Sequence, residues 1–518
     1  MIKVVSNENM RKSDKFTIES KISSRELMFK AGKAIYESVS WKGKIGICCG
    51  CGNNAGDGYV LASLLKESNY DVDIIILSEK FSDDGKYYFN LAIEKCVKVI
   101  CLNDNYNKDL FKEYDILVDC IFGTGFKNEV TGKYKDVISK INESKKYVVS
   151  VDINSGLNGD NGLASLCVHS DLTVSIGYYK SGHFLNMAKD VMKTRINREI
   201  GIELSENAYE LIEANDIKNL FLKRKNYSNK STYGYIALIG GSKDYSGSIR
   251  LSLMANCAMR SGAGVVTVAV PESIEAVLSP KILESTILCM KDLDGHIKFD
   301  KEVLDKIMAK NRVIAFGMGI KNNQDTKESL EYLLENYNKT LIIDADGLNA
   351  LAESNSNLLQ NAKCKVILTP HIKEFSRLTK LEINVINQNP VAHATDYAKS
   401  NKVIVLLKGP TTIITDGEKV YLVDKGCAGM ATAGSGDVLS GILAAIASYN
   451  ENDLLLATAG AAYINGLAGE LAQEEYGDIS MIASDTVNKI GKAIKMVRTC
   501  TNLNKWVKFV FVIIWHKN

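Results

Sequence analysis

The sequence predicts an α/β protein of two domains, each a parallel sheet covered by helices on both faces. Three observations carry that reading. Short apolar runs alternate with helical stretches along most of the chain, the pattern of βαβ units whose strands are buried on both faces. Glycine and polar clusters fall at the C-terminal ends of those runs, where parallel sheets bind ligands. The alternation is interrupted once, by the polar and basic stretch within 214–233, and 518 residues are too many for one core.

Taken in order, residues 24–40 carry a helical pattern (Leu27, Met28, Ala31, Ile35, Val39). A buried strand is expected over 44–49, then GCGNNAGDG as a loop, 59–68 as a helix and 72–77 as a strand. Further strands are expected over 97–102, 116–120, 147–151 and 172–176. The linker is placed in the break. A second series follows, with strands over 235–240, 265–270, 312–316, 340–344, 365–369 and 403–407, and all five prolines lie in this half. The domains are accordingly set at 1–215 and 216–500. Residues 501–518 form a tail of unassigned role, with lysines and tryptophans around a short apolar run.

The formal net charge of +2 argues against nucleic acid or an anionic membrane as the main partner. The twelve cysteines are scattered, mostly in apolar runs, and no second pair beside Cys48, Cys49 and Cys51 completes a zinc site. They read as buried, reduced thiols of a cytoplasmic protein. Residues 1–25 are charged throughout, unlike a signal peptide. The apolar run 509–515 is far short of the roughly 20 residues that span a bilayer.

Three loops at expected strand ends carry chemistry. Gly50-Cys51-Gly52-Asn53-Asn54-Ala55 fits the loosest dinucleotide fingerprint, with Asp71 and Asp73 downstream. Its continuation, Gly56-Asp57-Gly58, and the paired asparagines offer carbonyls, a carboxylate and amides instead. Asp119 precedes Gly123-Thr124-Gly125, and Asp152-Ile153-Asn154-Ser155-Gly156 repeats the idea. Oxygen ligands without Cys or His suit a hard cation, and the Gly-Thr-Gly amides suit a phosphate. Singly each loop reads as an ordinary βα turn; three at one sheet edge read as a site.

The stretches GCGNNAGDGYVLA, VDCIFGTGF and VDINSGLNGD resemble the NAD(P)H-hydrate epimerase family over about residues 1–214. The resemblance implies a Rossmann-like three-layer α/β/α fold and interconversion of the R and S forms of hydrated NAD(P)H. It implies that Asn53, Asn54, Ala55, Gly56 and Asp57 hold the hydrate, and that Asn54, Asp119 and Ser155 coordinate K⁺. It implies that Gly123, Thr124, Gly125, Phe126 and Lys127 bind the cofactor's phosphates, while Asp152 faces the nicotinamide ring as acid/base. Two departures stand out. Asn154 replaces a proline that usually stiffens this turn, and 125–128 lack a later glycine often found there.

In the second half the densest stretch is Gly426–Gly441, GCAGMATAGSGDVLSG. A Gly-Ser-Gly-Asp turn opening a helix aims N–H groups and the positive dipole end at one place, suited to a phosphate or a developing anion. Asp437 is placed to take a proton from a hydroxyl. Alone, the stretch reads equally as a glycine-rich turn with an acidic helix start. With it come IGGSKDYSGSIR and SGAG within 235–264, Gly317-Met318-Gly319, DADGLN at 344–349, Thr369-Pro370-His371 and Lys408-Gly409-Pro410-Thr411-Thr412. The last offers a cation, amides and hydroxyls matching a nucleotide's phosphates or ribose.

This order of motifs resembles the ADP-dependent NAD(P)H-hydrate dehydratase family of the ribokinase-like superfamily, over about 224–497. Ser248 stands for a usual alanine and Lys373 for a usual glycine. The resemblance implies a ribokinase-like α/β fold, with Ala263, Gly319, His371 and Asp437 contacting the hydrated dinucleotide. It implies that Lys408, Gly409, Pro410, Thr411, Thr412 and Gly436 contact ADP, with Mg²⁺ accompanying it, and that the chain assembles as a homo-dimer or tetramer.

Together the halves predict one repair pathway. The first epimerises R- and S-NADHX or NADPHX, and the second dehydrates the S form to NAD(P)H, converting ADP to AMP and phosphate. Asp437 would deprotonate the ring hydroxyl, the 434–436 amides would stabilise the transferring phosphoryl group, and loss of phosphate would restore the ring. The rival is a small-molecule kinase fused to a nucleotide-binding domain, since fold does not settle function; it would accumulate phosphorylated product. A dehydrogenase using the G-x-G-x-x-A loop would turn over oxidised NAD, and a purely docking first half would be indifferent to changes at Asp152.

Overall fold

A computed structural model describes residues 1–103, 106–107, 109–126, 129–221, 223–253, 257–355 and 357–500. Lys127 and the tail 501–518 lie outside the described residues. The chain divides into two compact units, one spanning Lys3–Tyr209 and one running from Glu210 onward with Met1–Ile2.

The first unit holds a seven-stranded sheet in the order Lys98–Cys101, Asp71–Ile76, Lys44–Cys49, Ile116–Cys120, Tyr147–Val151, Ser170–Ile176 and Met192–Arg198. Every neighbouring pair is parallel. Alternate side chains enter two cores: Ile45, Ile47 and Cys49 face one, Cys48, Ile75 and Leu117 the other. The sheet is therefore covered on both faces, as expected. Strand order reverses between Lys44–Cys49 and Ile116–Cys120, and the loops leaving these two strands diverge to open a crevice.

The stretch expected as a loop at 50–58 is half helix, since a helix runs Asn53–Glu67. Its glycines serve packing. A Cβ on Gly56 would lie 2.5 Å from Met28 Sδ, and one on Gly58 would lie 2.9 Å from Cys120 Sγ. Asn53, Asn54 and Asp57 thus stand in the opening turns of a helix. Of the two acids a dinucleotide fingerprint could use, Asp71 is exposed, and Asp73 is buried and accepts from Tyr114 Oη at 3.0 Å with Lys44 at 3.4 Å. It is occupied within the fold.

In the second unit the strands run Thr286–Met290, Val265–Pro271, Tyr235–Ile239, Val313–Phe316, Thr340–Ile343, Lys365–Leu368, Ile404–Leu407, Thr412–Thr415, Val420–Val423 and Tyr209–Leu211. Pairing is parallel as far as Ile404–Leu407 and antiparallel through the next two strands. Helices Ser435–Tyr449, Leu454–Tyr476 and Ala483–Thr499 follow. Leu454–Tyr476 is long and apolar enough to cross a membrane, but 89% of its apolar window is buried, so it is a core helix. The stretch read as the linker begins inside this core, for Ala214, Ile217, Leu220 and Phe221 are buried in it. Among the described cysteines, Cys51, Cys96, Cys101 and Cys289 are exposed rather than buried.

Candidate active sites

The crevice of the first unit is a cavity of about 580 Å³. Asn53, Asn54, Asp57, Gly123, Thr124, Gly125, Phe126 and Asp152 line it, from one helix start and two loops. Ala55 and Gly56 are buried in the helix and do not line it. Phe122 and Phe126 stack at its wall with ring centroids 4.3 Å apart.

Beneath this wall lies a set of oxygens. Asp119 is fully buried and accepts from Ser150 Oγ at 2.9 Å, from the Ser155 amide at 2.8 Å and from Ser155 Oγ. Burial raises its pKa against these hydrogen bonds. Ser155 Oγ also receives the Phe122 amide at 2.8 Å, and Asn54 Nδ2 donates to the Phe122 carbonyl at 2.9 Å. That leaves Asn54 Oδ1 buried without a partner among the described residues. An orphaned amide oxygen beside a carboxylate, a hydroxyl and a carbonyl is the donor set of a hard cation. Asn154 is tied down next to it: its amide donates to the Val168 and Val191 carbonyls at 2.8 and 3.1 Å, and its oxygen accepts from Thr173 Oγ1 at 2.6 Å.

Asp14 and Lys180, which the sequence reading passed over, also line the cavity, as do the charged Arg11 and Asp84. Lys180 is buried and ion-paired with Asp152, whose backbone φ is +64°. Burial, then Asp152, raise Asp14 to about 6 despite Lys180. Burial, then Asp152 and Asp14, hold Asp57 well above the usual carboxylate range. A signal for Asp14 was present: it sits at helical spacing between Met10 and Ile18, an acid on an apolar stripe.

In the second unit the polar groups gather at the start of Ser435–Tyr449. Lys408 Nζ lies 3.0 Å from the buried Asp344 and 3.9 Å from Glu374. Ser440 Oγ donates to the other Asp344 oxygen at 2.6 Å. A Cβ on Gly436 would sit 3.4 Å from Lys408 Nζ, so the helix opens directly over this pair. Burial, reinforced by Asp344, raises Asp437 to about 6, while a hydrogen bond from Ser248 and the charge of Lys408 pull it down. Burial raises Glu374 to about 7 against Lys408. His371 caps Ile372–Thr379, its Nδ1 accepting the Lys373 amide at 3.0 Å, and it bridges in parallel register to Lys408.

Not all the expected residues converge. Gly319, at φ +64°, packs on Tyr245 and Ser248, and so reaches the Asp437 side through Ser248. Ala263 is buried in the apolar core. Gly409 and Pro410 turn between Ile404–Leu407 and Thr412–Thr415, Thr411 bonds Asp424 at 2.8 Å, and Thr412 begins the next strand. Among the described residues no group of three or more His, Cys, Asp or Glu side chains is arranged to hold a metal ion.

Comparison with known proteins matches residues 24–182 to the family described as YjeF-related protein N-terminus, and 236–492 to that described as NAD(P)H-hydrate dehydratase. Proteins named bifunctional NAD(P)H-hydrate repair enzyme are similar over nearly the whole chain. The one from Archaeoglobus fulgidus is 34% identical, with 91% of this chain and 94% of that protein covered. The one from Moorella thermoacetica is 32% identical, covering 91% and 92%. Among solved structures, the chain is similar to a ribokinase-like superfamily protein from Enterococcus faecalis (24% identical, 57% of this chain and 100% of that one, TM-score 0.49). It is also similar to the ADP/ATP-dependent NAD(P)H-hydrate dehydratase of Bacillus subtilis crystallised with ATP/Mg²⁺ (24% identical, 56% and 99%, TM-score 0.48). The chain belongs to the family of bifunctional NAD(P)H-hydrate repair enzymes, an epimerase unit followed by a dehydratase unit.

Proposed function

We propose that the cavity of the first unit is the epimerase site and that the turn at Asp437 is the dehydratase site, with ADP as phosphoryl donor. The observation that carries the second assignment is the placing of Lys408 and Asp437 together at the opening of Ser435–Tyr449. Asp437 takes the proton from the ring hydroxyl of S-NAD(P)HX as it attacks the terminal phosphoryl group. The first-turn amides and Lys408 stabilise the charge on that group. The ring nitrogen's lone pair then expels phosphate as an N=C bond forms, and loss of a proton from the adjacent ring carbon, which the departing phosphate can accept, gives the C=C bond of NAD(P)H. Lys408, Gly409, Pro410, Thr411, Thr412 and Gly436 hold the nucleotide, and Ala263, Gly319, His371 and Asp437 the dinucleotide. Mg²⁺ would accompany ADP and supply charge neutralisation at its phosphates.

In the first unit Asn53–Asp57 hold the hydrate, 123–127 its phosphates, and Asp152 faces the ring as acid/base. The orphaned Asn54 Oδ1 supports K⁺ held by Asn54, Asp119 and Ser155. A homo-oligomer in the cytoplasm completes the reading. The test follows absorbance at 340 nm on mixed R- and S-NADHX with Mg²⁺ and either ADP or ATP. Full recovery of both epimers with ADP is expected. Asp437→Asn should bind nucleotide normally and lose roughly 10²–10⁴ in rate. Near-normal turnover of that variant would remove Asp437 from its role, and accumulation of a phosphorylated product would favour a kinase.

A further inference from the structure

The epimerase cavity holds a lysine that the binding roles above do not require. Lys180 is 1% exposed, and its ammonium donates to Asp152 Oδ1 and to the Ile176 carbonyl at 2.8 Å. An ammonium carries three donors. The third has no acceptor among the described residues, although the side chain lines the cavity. Asp152 is in the complementary state. Its Oδ1 accepts from Lys180 and from the Ile176 amide at 3.2 Å, while Oδ2 has no partner among the described residues. His183 braces both. It is fully buried, its Nδ1 accepts the Lys180 amide at 2.9 Å and its Nε2 donates to the Asp152 carbonyl at 2.7 Å. Burial, then Lys180, lowers His183 to about 4, so it stays neutral and holds the two backbones without exchanging the working proton. The cavity therefore meets one free donor and one free acceptor, joined by a hydrogen bond and fixed in register.

Hydrated NAD(P)H presents the matching pair. The carbon to be inverted bears a hydroxyl and is bonded to the ring nitrogen, so an O–H donor and a latent nitrogen acceptor hang on one atom. We propose that Lys180 is a catalytic acid of the epimerase, acting with Asp152 as base on these two groups, and that inversion proceeds by ring opening. Asp152 takes the hydroxyl proton, the O–H pair becomes the C=O bond, and the C–N bond breaks. Its electron pair goes to nitrogen, which takes a proton from Lys180. The open aldehyde turns about its C–C bond and offers its other face. Closure reverses each step: nitrogen attacks the carbonyl carbon and returns its proton to Lys180, and the new hydroxyl oxygen recovers the proton from Asp152. Protons and electrons balance with no co-reactant. One neighbouring pair serves both halves, whereas loss and re-addition of water would need a proton-transfer group on each face.

The proposal rests on reading this cavity as the epimerase site, and the experiment separates the two. In the full chain, R-to-S conversion is followed with dehydration of S-NADHX as the internal control. Lys180→Met is expected to lose at least about 100-fold in epimerisation with S-form dehydration unchanged. Lys180→Arg keeps the charge beside Asp152 but does not release a proton, and should be about as slow. An arginine variant near the wild-type rate would overturn the acid role in favour of charge alone. If Asp152→Asn is inactive while both Lys180 variants are fully active, the cavity reading stands and this proposal falls. If all three epimerise normally, the cavity is not the site. The unmodified protein in H₂¹⁸O gives an answer without variants: ring opening retains the hydroxyl oxygen, and one label incorporated per inversion would overturn it.

Discussion

Each unit contains a lysine–aspartate pair at its site, and the two are built in opposite senses. In the first, the lysine is sealed at 1% exposure and its aspartate reaches the cavity at 17%. In the second, the aspartate is sealed at 2% and its lysine reaches outward at 22%. The partner left accessible matches the chemistry. A carboxylate presented to a neutral ring can exchange protons with it, and the ammonium bonded behind it supplies its counter-charge and, in the proposal above, the second proton. A lysine presented over a helix opening can pair with phosphate, with Asp344 as its anchor. The same two residue types serve proton transfer or charge stabilisation according to which of them is exposed.

The largest effect should come from stranding the sealed partner. Asp152→Ala leaves a buried ammonium with one carbonyl, and should cost the first unit about 3–5 kcal/mol in urea denaturation. Asp344→Ala should cost clearly less, because Lys408 is partly exposed and keeps Glu374 at 3.9 Å. Equal costs would show that exposure does not distinguish the pairs. The pH profile sharpens the contrast next. With Asp437 at about 6, the dehydratase rate should fall about tenfold per pH unit below 6, as the base becomes protonated. Stability at this residue runs the other way. The folded state binds the proton more tightly than the unfolded chain, so the contribution falls as pH rises from about 4 to about 6 and is level above. The smallest effect concerns Ser248. Its hydrogen bond holds Asp437 down, so Ser248→Ala should move the acid limb upward by about half a pH unit, measured as the midpoint of the rate profile.

Much of this was legible from residues, for identifiable reasons. The strands Lys44–Cys49, Ile116–Cys120 and Tyr147–Val151 fall where their apolar runs placed them, because central parallel strands bury both faces. Met192–Arg198 was missed because it is an edge strand, and its MKTRINR composition carries no such run. Thr412–Thr415 was absorbed into the KGPTT motif that precedes it. The opening turns of Asn53–Glu67 read as a loop in the sequence because glycines there look like turn residues, whereas Gly56 and Gly58 are required by close approach. Asp152, Asp437 and Lys408 announced themselves by the glycines around them. Lys180 did not, since a charged residue in YYKSG reads as a solvated face until the fold shows what lies opposite, and Asp14 was marked only by its helical spacing between Met10 and Ile18.

Asn154 carries a consequence for how this sequence can change. At this position, where the motif it resembles would carry a proline, the chain has a fully buried amide joined to Val168, Ser170, Thr173 and Val191. The turn is held by partners rather than by a ring. Substitution by proline would leave those buried groups unpaired, at about 1–3 kcal/mol for each, unless Ser170 and Thr173 changed with it. Proline at this position is therefore not a single-step replacement in this chain: accommodating it requires several substitutions together.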